Sequence, residues 1–160
     1  MSKGLGPWYN ALMRFAENKK VHFNYEILAR YEAGIELLGV EVKSLRSGHG
    51  SLEGSHVIVR GGEAFLVGAT IQPYQAGNTD SQYDPARNRR LLLTKGEIAE
   101  LAAEEAKKGL TIVPIAVYSK GRRIKVEIAV VRGKKNHDKR ETMKKREHER
   151  DMMRDVKGLR

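Results

Sequence analysis

The side chains best suited to chemistry in this sequence are cations, and they occur in two clusters. Arg87-Asn88-Arg89-Arg90 stands immediately before Leu91-Leu92-Leu93. Residues 132–160 hold twelve Lys or Arg side chains against six Asp or Glu, a net charge of +6. Lys and Arg neutralise phosphates, and clusters of them are typical of nucleic-acid-binding proteins. We therefore predict a nucleic-acid partner with phosphate contacts at residues 87–90, a merely solvated loop being the alternative for that cluster.

A catalytic or metal-binding grouping is the other chemistry to look for, and the sequence does not provide one. The histidines are scattered without a nucleophile or carboxylate at a recurrent spacing: His22, His49, His56, His137 and His148. Gly48-His49-Gly50 with Gly54 is one residue too long for a G-x-G-x-x-G phosphate loop and predicts a turn. The absence of cysteine excludes disulfides and Cys-based zinc sites. We predict that the protein is not an enzyme and has no cofactor and no metal.

Length and charge fit one folded domain with a basic arm. The chain has 160 residues and a net charge of +10, which leaves room for a single core of modest size. No apolar run reaches the length of a membrane span, and the first twenty residues lack the apolar stretch of a secretion signal. We therefore expect a cytoplasmic protein without a membrane segment.

The first half of the chain predicts a short helix followed by strands. Trp8, Leu12 and Phe15 recur at helical spacing, which predicts a helix over residues 8–17. From Tyr25 the side chains alternate, which predicts a long strand bent near Gly34. Further predicted elements are a short helix over 39–48, strands at 56–60 and 63–67 joined by Gly61-Gly62, and a strand around 69–72.

The second half begins with a loop over 74–88 and then gives the clearest local signal. Thr94 and Glu97 form a capping box, and Leu93 with Ile98 forms a hydrophobic staple, which together predict a helix over 95–108 that stops at Gly109. Residues 110–118 and 122–131 predict a β-hairpin. The pattern favours a mainly β protein: a closed antiparallel barrel of the OB-fold type, with about six strands and two to three helices. An open α+β sheet is the alternative.

The basic C-terminal run predicts an arm rather than part of the core. It offers too little apolar area to offset the entropy of ordering, but it lacks proline, and Glu141 with Lys145 has helical pair spacing. We predict a tail that is disordered when free and helical on a polyanion. The domain organisation is then an N-terminal extension (1–17), an RNA-binding barrel (18–132) and a basic tail (133–160).

Several blocks of the sequence occur together in an order typical of one family. They are Asn18-Lys19-Lys20 with Tyr25, Glu32-Ala33-Gly34-Ile35, the EVKSLR block ending at Arg46, Asp84-Pro85 with Arg89-Arg90-Leu-Leu-Leu93, and GKKNHDKR at 133–140. Taken together, they resemble the SsrA-binding protein family, also called small protein B. The resemblance implies a non-catalytic protein that binds the tRNA-like domain of transfer-messenger RNA and takes it to stalled ribosomes for trans-translation. Its implied partners are that RNA, small-subunit rRNA in the decoding centre and, through the charged RNA, elongation factor Tu. A monomer is expected.

The resemblance and the cation clusters give two sets of candidate site residues. The RNA-binding set is Asn18, Lys19, Lys20, His22, Tyr25, Glu32, Arg87, Arg89, Arg90, Leu91, Leu92 and Lys125. The set for the decoding centre and the empty mRNA channel is Gly133, Lys134, Lys135, His137, Asp138, Lys139, Arg140, Lys144, Lys145, Arg146, Met152, Arg154 and Lys157. The rival hypotheses are a general RNA-binding or RNA-chaperone OB protein and a structural protein of the ribosome.

Overall fold

A computed structural model describes residues 13–134 and 136–158. Its strands are β1 (Arg14–Glu17), β2 (Tyr25–Ile35), β3 (Gly50–Ser51), β4 (His56–Arg60), β5 (Glu63–Val67), β6 (Thr70–Ile71), β7 (Arg89–Leu92), β8 (Leu110–Lys120) and β9 (Arg123–Gly133). Its α-helices are α1 (Val21–Asn24), α2 (Gly39–Arg46), α3 (Lys95–Glu105) and α4 (Asn136–Gly158), and Ala76–Asn78 forms a 3-10 turn.

Six of these strands close into an antiparallel ring, which confirms the predicted barrel. The order around the ring is β2, β9, β8, β4, β5 and β7, and β7 pairs again with β2. β1 pairs with residues 116–118 of β8, beyond the point where β4 meets β8, and β3 pairs with β6 in a separate two-stranded sheet. Ring closure removes the exposed sheet edges that invite aggregation.

The ring consists of two three-stranded halves that are connected at two short joints, where a strand of one half pairs with a strand of the other. β2, β9 and β8 pair along most of their lengths, and β4, β5 and β7 form the other half. In the described residues, β2 meets β7 at Gly34↔Leu92 and Ile35↔Leu91, and β4 meets β8 at Val57↔Ile112. The halves are therefore held together mainly by the side chains inside the ring.

The main core lies inside the ring and receives apolar side chains from each ring strand. Ala33, Val57, Leu66, Leu91, Ile112 and Ile128 are all at most 2% exposed. α3 covers one end of this core with Leu101, which is fully buried. Burying one such leucine is worth about 1.5–3 kcal/mol. The amphipathic helix thus closes the barrel that its flanking strands build.

Two irregularities in strand pairing decide which side chains face the core. The register shifts between Ile27 and Ala29 of β2 and between Pro114 and Ala116 of β8. Tyr25 and Ile27, before the first shift, pack outside the ring, whereas Ala29, after it, packs against the core. A β-bulge inserts one unpaired residue and so exchanges the two faces of a strand. The sequence predicted an irregularity near Gly34 and not at these positions.

A second, smaller apolar cluster lies on the outer side of β2, β8 and β9. Its buried members are Val21, Val113, Ile115, Ala116, Tyr118, Ala129 and Val131. α1 covers this cluster by inserting Val21, which is 1% exposed. This four-residue helix was not predicted from the sequence, and it seals the outside of the barrel wall.

Most predicted elements are confirmed. α2 starts at Gly39, and β4 and β5 pair in the predicted hairpin, where Gly61 and Gly62 have φ of +60° and +77°. The Thr94 hydroxyl accepts from Glu97 N and the Glu97 carboxylate accepts from Thr94 N, which is the predicted capping box of α3. The hairpin of β8 and β9 is also present.

The predicted N-terminal helix is wrong where the structure can test it. Residues 8–12 lie outside the described residues, but Arg14–Glu17 is a strand that pairs with β8. The open edge of β8 supplies backbone hydrogen bonds, and Phe15 enters the main core with 9% of its surface exposed. Tertiary pairing therefore overrides the local helical spacing.

Residues 136–158 of the basic tail form a single helix, α4. This is the form predicted for the tail on a polyanion, while its disorder in the free protein stays a prediction. Among the described residues, no helix is both long enough and apolar enough to cross a membrane.

Candidate nucleic-acid interface

Five predicted RNA-binding residues lie together on one surface, which we call the outer face: the side of β2, β9 and β8 that points away from the barrel core, with α1 and the turn before it. The five are Asn18, Lys19, His22, Glu32 and Lys125. Register places Glu32 opposite Glu127 and places Lys125 opposite both Gly34 and Tyr118. The two bulges make this possible because they turn polar residues of β2 and β8 outward.

Glu32 is the most constrained polar side chain of the outer face. The buried hydroxyl of Tyr118 donates to its Oε2, and Lys120 Nζ donates to its Oε1 at 3.0 Å. Burial opposes ionisation of Glu32, but these hydrogen bonds and the charges of Lys120 and Lys125 outweigh it and lower the pKa of the carboxyl below its ordinary value. The outer face therefore presents an ionised carboxylate with 27% of its side chain exposed.

Arg30 and Glu127 form a second ionic pair beside Glu32. Arg30 Nη1 donates to Glu127 Oε1 at 2.8 Å, and the Glu127 side chain is 1% exposed. Within the described part of the chain, Glu127 Oε2 has no hydrogen-bond partner. Arg30 keeps 37% of its side chain exposed and so offers its remaining N–H groups to the surface.

An open groove of about 300 Å³ runs from Arg30 to the turn before α1. It is lined by Arg14, Glu17, Asn18, Lys19, His22, Arg30, Ile115 and Ala116. Asn18 anchors the turn to the bulge of β8, because its backbone N donates to Ile115 O at 2.8 Å and its Nδ2 donates to Pro114 O at 3.2 Å. The cations of the groove can neutralise phosphates while Asn18 fixes their positions.

His22 is kept neutral by its surroundings. Burial and the positive charges of Arg30, Arg146 and Lys134 lower its pKa, and Glu127 opposes them only in part. Its backbone oxygen accepts from Lys134 Nζ at 2.8 Å, which ties α1 to the start of the tail. A polyanion on this face would favour the charged imidazolium instead.

Lys20 and Tyr25 lie on the other side of α1, at a second groove of about 320 Å³. Lys20 Nζ is 3.3 Å from Glu53 Oε1, and both side chains are more than 70% exposed. Such a pair contributes little to stability. Lys20 therefore remains available to a ligand, and Tyr25 presents a partly exposed ring to the same groove.

The predicted phosphate contact at Arg89 is wrong because this side chain is buried, and Arg87 forms an ion pair with the same buried carboxylate, that of Glu41. Glu41 is fully buried and holds both guanidinium groups: Arg89 Nη2 donates to Glu41 Oε2 at 2.6 Å, and Arg87 Nε donates to the same oxygen at 3.0 Å. Arg89 is 0% exposed and also donates to backbone oxygens of Ala69 and Pro85. Arg89 therefore fixes the loop over 73–88 instead of binding phosphates, while the RNA contact of Arg87, whose side chain is 30% exposed, stays a prediction.

Side chains along β7 alternate between the core and the surface, so its two leucines have different environments. Leu91 is 2% exposed and belongs to the main core, so its prediction as a direct RNA contact is also wrong. Leu92 is 47% exposed and lies over Gly34, where an added Cβ would be 3.1 Å from Leu92 Cβ. Arg90 also points outward and pairs with Glu36 and Glu63. Leu92 thus borders the outer face across the joint of the two halves.

The structure describes some of the side chains predicted to act in the tail and not others. Among the described ones, six are exposed to solvent: Arg140, Lys144, Lys145, Arg146, Met152 and Arg154. The side chains of Lys135, His137, Asp138 and Lys157 lie outside the described residues. Gly133 ends β9, and Lys139 Nζ lies 6.0 Å from the centroid of the Phe23 ring of α1. α4 thus starts from the outer face.

Sequence reasoning missed Arg30, Tyr118, Lys120 and Glu127. Alternation along β9 places Glu127 on the same side as Lys125, so a signal for Glu127 was present. Arg30 likewise alternates with Glu32 along β2, whereas Tyr118 carries no such signal, because the bulge of β8 that turns it outward is invisible in the sequence. Among the residues that the structure describes, no group of His, Asp and Glu could hold a metal.

Comparisons with known proteins agree on one family. Residues 15–158 match the family model described as SmpB protein. An SsrA-binding protein of Gloeothece citriformis (strain PCC 7424) is 48% identical over 141 residues, which cover 88% of this chain and 91% of the relative. One of Burkholderia vietnamiensis (strain G4 / LMG 22486) is 46% identical over 142 residues, which cover 89% and 96%. A chain of the solved structure described as "tmRNA-SmpB: a journey to the center of the bacterial ribosome" is 43% identical, has a TM-score of 0.64, and is matched over 75% of this chain and 84% of its own length.

Proposed function

The chain belongs to the SmpB protein family, and from this premise we propose that it binds the tRNA-like domain of transfer-messenger RNA and brings it to stalled ribosomes for trans-translation. The observation that carries the proposal is the match to a chain of a tmRNA-SmpB structure, at 43% identity and a TM-score of 0.64. The SmpB family is an RNA-binding family and not a family of enzymes. We extend that to this chain, which works as a non-catalytic adaptor in the cytoplasm.

We propose that the barrel (18–132) binds the RNA and that the tail (133–160) contacts the ribosome. Asn18, Lys19, His22, Glu32 and Lys125 support the first part because they share the outer face. Lys20 and Tyr25 extend it through the second groove, and Arg90 and Leu92 extend it across β7. The exposed cations of α4 support the second part, since rRNA walls of a decoding centre and an mRNA channel are polyanionic.

We further propose that the protein acts as a monomer and meets elongation factor Tu through the charged RNA rather than directly. We also propose that tail residues 137 and 138 and Lys157 contact the ribosome, in the decoding centre or the mRNA channel.

The decisive experiment is a competitive titration of the full chain against the tRNA-like domain, with an ordinary tRNA of similar length as competitor. It is run at two salt concentrations, because affinity for a nucleic acid depends steeply on salt. We expect a preference for the tRNA-like domain that persists at the higher salt. Equal affinity for both RNAs would instead favour a general RNA-binding OB protein.

A further inference from the structure

We propose that Arg30 binds a backbone phosphate of the tRNA-like domain in the groove beside α1, and that Glu127 is the positioning residue whose buried carboxylate orients the Arg30 guanidinium; this inference rests on the proposed function. Neither residue belongs to the sequence blocks that resemble the family. The two lie 97 residues apart in the chain, and the pairing of β2 with β9 brings them together.

The Arg30 guanidinium keeps its best phosphate-binding edge unoccupied. An arginine has five N–H donors, and among the described residues that of Arg30 makes one hydrogen bond, from Nη1 to Glu127 Oε1 at 2.8 Å. The edge formed by Nε and Nη2 is left over. Its two parallel N–H groups match two oxygens of one phosphate, which is the geometry of the strongest arginine–phosphate contacts.

The arginines bound to Glu41 show that this free edge is a distinction. Arg87 and Arg89 each donate to Glu41 from both Nε and Nη2. In those two side chains the carboxylate occupies the edge that a phosphate would use. Glu127 contacts Arg30 through Nη1 alone, so this ion pair orients the guanidinium and leaves the edge open.

The burial of Glu127 explains why Arg30 stays in one place. The Glu127 side chain is 1% exposed, and register places it opposite Glu32. Like charges opposite each other on paired strands repel, so each carboxylate needs a cation of its own. Lys120 serves Glu32 in this way, which leaves Arg30 for the buried carboxylate. Departure of Arg30 would leave a buried charge unpaired, at a high cost, so its side chain is ordered before RNA arrives.

The groove that Arg30 lines has the charges that a phosphate needs. Lys19 lines the same open groove of about 300 Å³ and supplies a second cation, and Asn18 fixes the turn that carries it through two hydrogen bonds to β8. The carboxylate of the groove, Glu17, is neutralised by Arg14 at 2.7 Å. A phosphate can therefore bind between two cations, and the planar fork of Arg30 sets its orientation.

The phosphate is tested with the full native chain and tRNA-like domains that carry single methylphosphonates, each of which removes the charge of one phosphate. We expect one replacement to weaken binding by about tenfold, as loss of a charge-assisted hydrogen bond does. Arg30→Lys keeps a cation beside Glu127 but has no fork, and it should reduce that difference to about twofold or less. The assignment is wrong if no replacement weakens binding of the native chain, or if each one that does weakens Arg30→Lys equally.

Salt dependence gives a second measurement of the same contact. Each phosphate contact that is lost lowers the slope of log affinity against log salt by about 0.7–0.9, and Arg30→Gln should lower it by this amount. Arg60→Gln is the matched control, since Arg60 is a strand arginine that pairs with Glu105 outside the outer face, and it should keep the native slope. An unchanged slope in Arg30→Gln would refute the contact.

Failure of the proposed function has a different signature. Loss of the preference of the native chain for the tRNA-like domain over an ordinary tRNA would contradict that function, and the competitive titration reveals it without any variant or modified RNA. A phosphate contact of Arg30 concerns one position of the RNA and is read from the methylphosphonate series.

The role of Glu127 is tested by the sign of the effect of Glu127→Gln. If Glu127 acted only through its charge, removing that charge from an RNA-binding surface would tighten binding. We expect a several-fold loss instead, because a neutral amide holds Arg30 less firmly than a carboxylate does. In the Arg30→Lys background, which has no fork to orient, Glu127→Gln should cause no loss. Tighter binding in the native background, or an equal loss in both, would overturn the role of Glu127.

The free native chain provides the same test without a variant. Rotation of the Arg30 guanidinium, measured by NMR, should be slower than that of Arg122, which is exposed in the turn between β8 and β9. Equal rotation rates before RNA is added would show that Glu127 does not position Arg30.

Discussion

Glu41 shows how one buried residue determines the use of two arginines. A carboxylate that is fully buried must be paired, and Arg87 and Arg89 satisfy it together with Tyr83. Burial opposes ionisation of Glu41, but hydrogen bonds from Arg87, Leu38 N and Arg89 lower its pKa below the ordinary range. The two arginines therefore organise a loop, and Arg89, which is fully buried, is not available to RNA.

We expect Glu41→Gln to lower the free energy of unfolding by about 3–5 kcal/mol, because breaking a buried pair leaves uncompensated charge behind. Urea unfolding followed by circular dichroism measures the change. Glu36→Gln is the matched control: Glu36 pairs with Arg90 at 3.1 Å, both side chains are about half exposed, and loss of such a pair costs less than about 1 kcal/mol. Equal costs for the two variants would contradict a structural role for Glu41.

His22 gives the outer face a dependence on pH. Its pKa in the free protein lies below the ordinary value of 6.5, so its contribution to stability is present above pH 6.5 and is lost as the pH falls toward the folded pKa. RNA phosphates bound at the outer face, as proposed, would raise that pKa and draw a proton into the complex. We expect RNA affinity at fixed ionic strength to rise as pH falls from about 7.5 to about 5.5, by up to about tenfold if the pKa rises by one unit on binding.

The variant that checks this prediction is His22→Asn, which should lose that share of the pH dependence. His49→Asn controls for an exposed histidine outside the outer face, and it should behave like the native protein. Because tail histidines also titrate, the comparison is between variants over the same pH series. Identical curves for His22→Asn and the native chain would refute the role of His22.

At the scale of elements, α4 is joined to the barrel through a small set of described contacts. Lys134 donates from its backbone N to Asn24 O at 2.9 Å and from Nζ to His22 O at 2.8 Å, and Lys139 lies over Phe23. Gly133 still pairs with Tyr25 as part of β9. A truncation that tests the tail should therefore keep Lys134 and remove residues 135–160.

We expect the chain truncated after Lys134 to unfold at nearly the native temperature and to keep its preference for the tRNA-like domain, since the barrel core is intact. Peptide tagging on stalled ribosomes should be abolished, because the cations proposed to enter the ribosome are gone. Replacing Lys144, Lys145 and Arg146 by Gln in the full chain separates charge from length. Parallel loss of RNA preference and tagging in the truncated chain would contradict the division between barrel and tail.

The elements that could be predicted from sequence are those with a strong local cause. Thr94 and Glu97 cap α3 through their own side chains, and the glycines of the β4–β5 turn adopt the left-handed conformation that this hairpin needs. The strand at Arg14–Glu17 has no such local cause, because it forms only where the edge of β8 is available.

The candidate site was predictable only in part, for a related reason. Lys125 and Glu32 could be placed by alternation and by resemblance, and Arg30 shares its face with Glu32 by the same alternation, whereas Tyr118 depends on the bulge of β8. Charge alone suggested Arg89 as a phosphate contact, but charge does not say whether a side chain points in or out. Its buried partner Glu41 lies 48 residues away in sequence, and local reasoning does not connect them.

For the whole molecule, the sequence indicated a closed barrel with a basic arm, and the closed ring confirms the barrel. The position of the joints could not be predicted, because it depends on how β2 passes from β9 to β7 at Gly34. That passage puts Leu92, from one half of the ring, beside Glu32 and Lys125, from the other half.

The short joints are where the ring would open at the lowest cost, because few residue pairs hold the two halves together there. Opening of β2 from β7 would carry Leu92 away from Glu32, so the complete surface exists only while the ring is shut. A ligand that binds only the shut form has its apparent affinity reduced by the fraction of molecules that are open. An RNA bound across the β2–β7 joint would therefore hold the ring closed, and exchange of the Glu36 amide hydrogen, which donates to Arg90 O at 3.0 Å across this joint, would slow when the RNA binds.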